Sequence, residues 1–409
     1  MSQRGIVLYL QIHQPYRVRP YSVFDTGTSH NYFDSNEETD WNNQRVFNKV
    51  ADKSYRPMGR LLTQLLSTYP EFRISLGISG TFIEQAREWA PDLLDTFRAL
   101  VDTGRVEILA ETYHHSLSFF YSRDEFERQV ELHQSLVFET FGVLPRVFRN
   151  TELAYNDELA QWAEQKGYVG ILAEGWDPVL EWRSPNYIYQ PYGTSSTALL
   201  LKNYRLSDDI AFRFSNKAWA EWPLTSQKFH EWATSALSGD QQILNLFMDF
   251  ETFGEHQWED TGIFTFFEQF IDAWSHEADS TFYTTSEAIA AHQPVDTISM
   301  PHTVTWADSG RDLSAWTGNK LQRESLRYLY SLEQDILRTE DDQLIADWRH
   351  LQTSDHFYYM CTKGFNDGDV HAYFSPYNSP YIAFLYYLNA IRDLRWRLHV
   401  HHRTGGLSG

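Results

Sequence analysis

The feature that most constrains this chain is an alternation of short apolar runs with amphipathic stretches over its first 250 residues. Ile6–Ile12 reads as a buried strand, Phe72–Ile78 alternates like a strand, and Val106–Glu111, Val147–Glu152, Gly170–Ala173, Leu199–Tyr204 and Ile243–Phe247 read as further strands. Between them, Pro57–Thr68 repeats leucine at 61, 62, 65 and 66, and Ala90–Thr103 runs as a helix to a stop at Gly104. Ser122–Phe141 is amphipathic, with Ser122 as N-cap, Glu125 in capping-box position and Gly142 as terminator. Asp157–Lys166 is a further helix. Strand and helix in alternation predict an α/β fold with a parallel sheet or barrel. Residues 16–55 are polar, aromatic and irregular, as expected of a long loop over a barrel mouth, and residues 175–240 are less regular. Beyond about residue 315, Gly318–Leu337, Asp341–Cys361 and Tyr381–His399 are helical stretches with no convincing strand between them. The 409 residues suit one barrel, 1–305, with an all-helical region, 306–409, appended.

Two of the strand-like runs end in acids: Phe148-Arg-Asn-Thr-Glu152-Leu153 and Phe247-Met-Asp249-Phe-Glu251. Strand ends that deliver carboxylates are how a parallel barrel equips its mouth. Two such groups face to face are the minimum needed to cleave a glycosidic bond. Arg149 would help keep Glu152 ionised, as a nucleophile requires, but Glu152 equally fits an acid at the start of the next helix. Asp249 and Glu251 would share a strand face. An acid among Met and Phe is desolvated toward general-acid duty, but a structural ion pair fits as well, and spacing does not choose between the two acids. Glu107 and Glu111 also share a face and need a polar lumen or a partner.

Composition narrows the partners. The net charge of −21 opposes nucleic acid, anionic membranes and polyanionic substrates, leaving neutral sugar compatible. The 14 Trp, 24 Tyr and 27 Phe offer flat faces suited to sugar rings, although most would serve a large core. No apolar run reaches the length of a membrane span, the first is too short for a signal sequence, and one cysteine excludes an internal disulfide. A cytoplasmic protein is expected. Nothing in the sequence bears on oligomeric state.

His13, His114, His115, Asp249 and His256 would be the natural members of a metal site, yet there is no His-x-x-x-His pair, cysteine cluster or compact ligand motif, so no metal is expected. No phosphate loop, dinucleotide glycine motif or Gly-x-Ser-x-Gly elbow occurs either, so no cofactor is expected.

Taken in order, five regions form a set: His13-Gln14-Pro15; Gly104-Arg-Val-Glu107; Phe148 to Leu153; Met248-Asp249-Phe-Glu-Thr-Phe-Gly-Glu-His256; and the tract from Trp306 through Asp312 and Trp316 to Asn319. Residues 79–85 and 369–377 support it. The chain resembles glycoside hydrolase family 57, in its α-amylase-like group, over nearly its whole length. The resemblance implies an incomplete (β/α)7 barrel followed by a helical region, acting on α-glucans with retention of configuration. It implies Glu152 as nucleophile and Asp249 as general acid/base. His13 and Glu107 would line the subsite of the attacked sugar, and Asp312 and Trp316 would shape the cleft; His256, read from its place after Asp249 alone, is a candidate polar contact to substrate or a surface residue. Arg105 stands where such sequences often have Gln. With both carboxylates present, an active enzyme is expected. The rivals are a 4-α-glucanotransferase or branching enzyme of the family, a metal-dependent mannosidase or deacetylase on a related barrel, and a silent glucan-binding protein.

Overall fold

A computed structural model describes residues 3–363 and 374–405. Of the supporting string 369–377, residues 369–373 lie outside the described residues. The chain forms two compact units. The first comprises Met1–His13, Asn48–Glu111 and Leu132–Trp306, and the second Gln14–Phe47, Thr112–Glu131 and Ala307–Gly409.

Unit 1 is a parallel barrel. Its strands are β1 (Arg4–Ile12), β2 (Ile74–Ile78), β3 (Val106–Ile108), β4 (Val147–Phe148), β5 (Gly170–Glu174), β6 (Ile188–Pro191), β7 (Ala198–Lys202), β8 (Ile243–Asp249), β9 (Ser280–Tyr283) and β10 (Thr297–Ile298). One sheet runs β3-β2-β1-β8 and the other β10-β6-β7-β5-β4. Two seams join them. Ala110 bridges Phe148 in parallel beside β3 and β4, with the Arg149 N–H donating to the Ala110 carbonyl at 2.8 Å. Between β7 and β8, the Asn203 N–H donates to the Asn245 carbonyl at 2.9 Å and Asn245 Nδ2 to the Leu201 carbonyl at 2.8 Å. The ring is therefore β1-β2-β3-β4-β5-β7-β8, with continuous ladders broken at those two places. β6 pairs antiparallel with β7, and β9 pairs with the first half of β1.

The apolar runs form these strands because both faces are covered: β1 is buried from Gly5 to Ile12, β2 and β5 throughout. Val7, Tyr9, Leu109, Val147, Leu172, Leu200 and Phe247 share one core cluster. The helix Arg56–Thr68 buries Met58, Leu61, Leu62, Leu65 and Leu66, with Pro57 at its second position just after the π-helical turn Ala51–Tyr55. At the acid-bearing strands the ends differ from the sequence expectation, β3 stopping at Ile108 with Glu111 beyond it. β4 stops at Phe148, and Thr151–Leu153 is a 3-10 turn, so Glu152 stands beyond the strand. β8 stops at Asp249, and Glu251 lies in the 3-10 turn Phe250–Thr252 instead of on a shared strand face.

Unit 2 is helical in its C-terminal part: Lys320–Ser331, Glu333–Leu337, Asp342–His350, Ser354–Tyr358 and Pro380–Gly405. It also takes in two earlier segments that a division at residue 305 leaves out. Their attachments are polar and distant in sequence, hence invisible to periodicity. Asp393 accepts from the Gly27 N–H at 2.7 Å and the Tyr32 hydroxyl at 2.5 Å, and it meets His30 Nδ1 at 2.7 Å. Glu125 holds Arg349 through Nε at 2.9 Å and Nη2 at 3.0 Å. That pair explains why the expected capping box is incomplete: Ser122 Oγ accepts the Glu125 N–H at 3.2 Å, but the Glu125 carboxylate turns to arginine.

Candidate active site

The carboxyl ends of β1 and β8 lie side by side, with Gln11 opposite Asp249 in register. His13, one residue past β1, meets Ser79 Oγ through Nδ1 at 2.8 Å, and Ser79 caps the helix Gly80–Trp89. The His13 backbone N–H donates to Glu251 Oε1 at 3.4 Å, and the Tyr55 hydroxyl donates to the same oxygen at 2.5 Å. Glu251 is 6% exposed. Burial, and then the neighbouring Asp249 carboxylate, push its pKa up to about 8, so at neutral pH it is mostly the uncharged acid.

Deeper in the lumen a polar chain links β1 to the end of β3. Tyr9 donates its hydroxyl to Gln11 Oε1, and Gln11 Nε2 donates to Glu111 Oε1 at 3.0 Å. Burial raises the Tyr9 phenol well above its ordinary value; Arg149 opposes this, and Glu111 and Asp249 add to it. One phenol thus senses groups from β4, β3 and β8.

Glu152 is half-buried, with φ +60°. An antiparallel bridge between Tyr155 and Val304 lays the segment ending at Trp306 along it. Trp306 Nε1 donates to Glu152 Oε2 at 2.8 Å, and its backbone N–H donates to the Glu152 carbonyl at 3.2 Å. Arg149 Cζ lies 4.8 Å over the Trp306 ring, and Lys202 Nζ lies 5.5 Å from the same centroid. Lys202 is bound to Asp208 at 2.9 Å and faces Glu174 at 3.8 Å. In the seven-strand ring, β4, which leads into the turn carrying Glu152, lies three strands from β8, which ends in Asp249.

The other expected site residues divide. His256 closes the turn after Asp249, its N–H bonded to the Glu251 carbonyl at 2.9 Å, and loss of water around its ring lowers its pKa to about 4. Glu107 is level with Ser75 and Tyr9, one inward position below Gln11 and Asp249. Its Oε2 accepts from Thr285 Oγ1 at 2.7 Å and the Ser286 N–H at 2.9 Å, at the start of the helix Thr285–Ala291. Its Oε1 is buried without a hydrogen-bond partner among the described residues. The carboxylate thus sits at the start of a helix through Oε2, while the residue as a whole is partly exposed. Asp312 and Trp316 belong to unit 2. Asp312 is exposed and accepts the Ser314 N–H at 2.8 Å, while Trp316 is 1% exposed, 5.8 Å from Tyr358. His114 is also in unit 2, 5.1 Å from His350. Among the described residues no group of three or more His, Cys, Asp or Glu side chains is placed to hold a metal ion.

Sequence reasoning did not single out Tyr9, Gln11, Tyr55 or the Trp306 indole as partners of the acids. Gln11 left a trace, a polar side chain in an otherwise apolar strand; Tyr55, at the end of a π-helical turn Ala51–Tyr55, left none.

The chain belongs to glycosyl hydrolase family 57, whose model matches residues 7–301. It is 40% identical over 405 residues, 96% of this chain and 84% of the other, to a Methanocaldococcus jannaschii protein named "Putative alpha-amylase". In fold it is similar to a GH57-type branching enzyme from Pyrococcus horikoshii, with a TM-score of 0.69 at 14% identity, covering 91% of this chain and 87% of that one. It is also similar to the 4-alpha-glucanotransferase of Thermococcus litoralis, with a TM-score of 0.65 at 17% identity, where the match covers 87% of this chain but 56% of that enzyme.

Proposed function

We propose that this protein is a retaining glycoside hydrolase of the α-amylase type that cleaves α-1,4-glucosidic bonds. The observation that carries the reading is the clamped carboxylate of Glu152, held by Trp306 Nε1 at 2.8 Å in the turn after β4, with Asp249 at the end of β8 in the same ring. Glu152 attacks the anomeric carbon as Asp249 gives its proton to the departing glycosidic oxygen. The resulting glycosyl ester is then opened by water, which yields its proton to Asp249 while Glu152 leaves as carboxylate. Retention by this route needs the two carboxyl groups about 5–5.5 Å apart when a sugar is bound. His13 and His256, each bonded to Glu251 through its backbone N–H, are candidate substrate contacts, with Asp312 and Trp316 carried over from the family motif. A neutral glucan such as starch or glycogen suits the net charge of −21. The reading takes the enzyme to be cytoplasmic; among the described residues no helix is long and apolar enough to cross a membrane.

The names of the two structural relatives favour a second reading, in which a glucan hydroxyl replaces water as acceptor. Incubation with maltooligosaccharides separates the two: hydrolysis gives only shorter chains, transfer gives longer or branched ones. Glu152→Gln and Asp249→Asn are each expected to lower turnover by about 10³-fold or more. Undiminished glucan cleavage in either variant would overturn the assignment.

A further inference from the structure

Arg149 takes no part in the displacement just described, yet its placement is unusual. The side chain is 0% exposed, and its Nε, Nη1 and Nη2 are buried without a hydrogen-bond partner among the described residues. A buried cation is costly unless paired and hydrogen-bonded. A residue kept only for packing would be apolar, and one kept as a structural tie would use its five donors. Arg149 does neither.

Its close contact is the Trp306 ring, 4.8 Å away. That partly exposed ring presents its N–H to Glu152 Oε2. Lys202, near the same ring, already faces Asp208 and Glu174, whereas the Arg149 charge is left to act on the indole. Tyr9 on β1 feels the Arg149 charge, and it also feels those of Glu111 beyond β3 and Asp249 on β8. The Arg149 N–H, bonded to the Ala110 carbonyl, fixes the backbone. A cation over an indole face withdraws electron density, fixes the ring and sharpens the N–H as a donor.

We propose that Arg149 is a positioning residue, which fixes the Trp306 indole and strengthens its hydrogen bond to the carboxylate of Glu152. The inference rests on Glu152 being the nucleophile. It assigns no contact between Arg149 and substrate.

The test compares R149M, R149K, W306F and R149M/W306F in the full chain on a maltooligosaccharide, together with the ¹⁵N–¹H indole resonance of Trp306, identified by its loss in W306F. R149M is expected to lower kcat by about 10–100-fold, the range of a hydrogen bond to a charged group, with KM within about 2-fold. R149K should restore much of the loss, and the double variant should be no slower than W306F, because both changes remove one coupled interaction. The indole proton should move upfield in R149M. Unchanged kcat and an unmoved resonance in R149M, or additive losses in the double variant, would overturn the proposal. If R149M does not fold, R149K and W306F decide: an R149K as impaired as W306F, with the resonance unmoved, counts against it. A parent inactive on every glucan but showing the resonance shift would refute the proposed activity and leave the Arg149–Trp306–Glu152 coupling supported.

Discussion

Residue 306 grips residue 152 at both ends: the Trp306 indole N–H holds the Glu152 carboxylate, and the Trp306 backbone N–H holds the Glu152 carbonyl. Between those anchors the backbone is left-handed at Glu152, φ +60°, and again at Leu153, φ +50°. Each such residue costs about 1–2 kcal/mol relative to ordinary helical backbone. The left-handed pair forms the turn that carries the chain out of β4. Glycine adopts this conformation without penalty, so E152G is expected to be more stable than E152A by about 1 kcal/mol in urea unfolding. Equal stability would mean that position 152 is not left-handed in solution.

Glu251 links stability to pH. Its folded value of about 8 lies above the ordinary 4.5, so the folded protein keeps a proton that the unfolded chain releases between those values. Its contribution to stability is full below about pH 4.5 and is lost as pH rises through about 8. Glu251→Gln fixes the neutral form. The drop in Tm between pH 5 and pH 8 should then be smaller in the variant than in the parent, by roughly 2 °C or more. An identical pH dependence would show that Glu251 is ionised throughout.

Gly77 makes room for the polar chain in the lumen. It pairs with Gln11 in register, and a Cβ placed on it would collide with the Tyr9 hydroxyl and the Gln11 side-chain carbonyl, both held in their mutual hydrogen bond. Gly77→Ala is expected to destabilise by about 1–3 kcal/mol, the usual penalty for overpacking. Glucan cleavage should fall as well, because Gln11 is the register partner of Asp249. Urea unfolding and turnover measured on the same preparation check both; a stable, fully active variant would place Tyr9 and Gln11 elsewhere.

The parallel barrel was legible because its strands are buried on both faces and therefore appear as continuous apolar runs. The alternation with helices was equally plain, as in Leu61, Leu62, Leu65 and Leu66 on one face of Arg56–Thr68. What the periodicity missed depends on contacts remote in sequence. Nothing near Glu152 announces that Trp306, 154 residues later, donates to it. Nothing around Gly27 or Tyr32 points to Asp393. Local spacing likewise treated Asp249 and Glu251 alike; burial beside Tyr55 and His13 is what sets them apart.

Glu107 brings motif and geometry into opposition. The family resemblance assigns it to the sugar subsite, whereas its Oε2 satisfies Thr285 and Ser286 at the start of the helix Thr285–Ala291 and its Oε1 is closed off from solvent. A carboxylate at that end of a helix is favoured by the free N–H groups and the dipole. Glu107→Gln removes the charge and keeps the shape. If the cap is its role, the variant should lose about 1–2 kcal/mol of stability, with KM for a maltooligosaccharide within about 2-fold of the parent and kcat little changed. If it holds the sugar, KM or kcat should worsen by an order of magnitude or more at little cost in stability. The geometry favours the first outcome; the second would require Glu107 to leave Thr285 when substrate binds, which a structure with bound oligosaccharide would reveal directly.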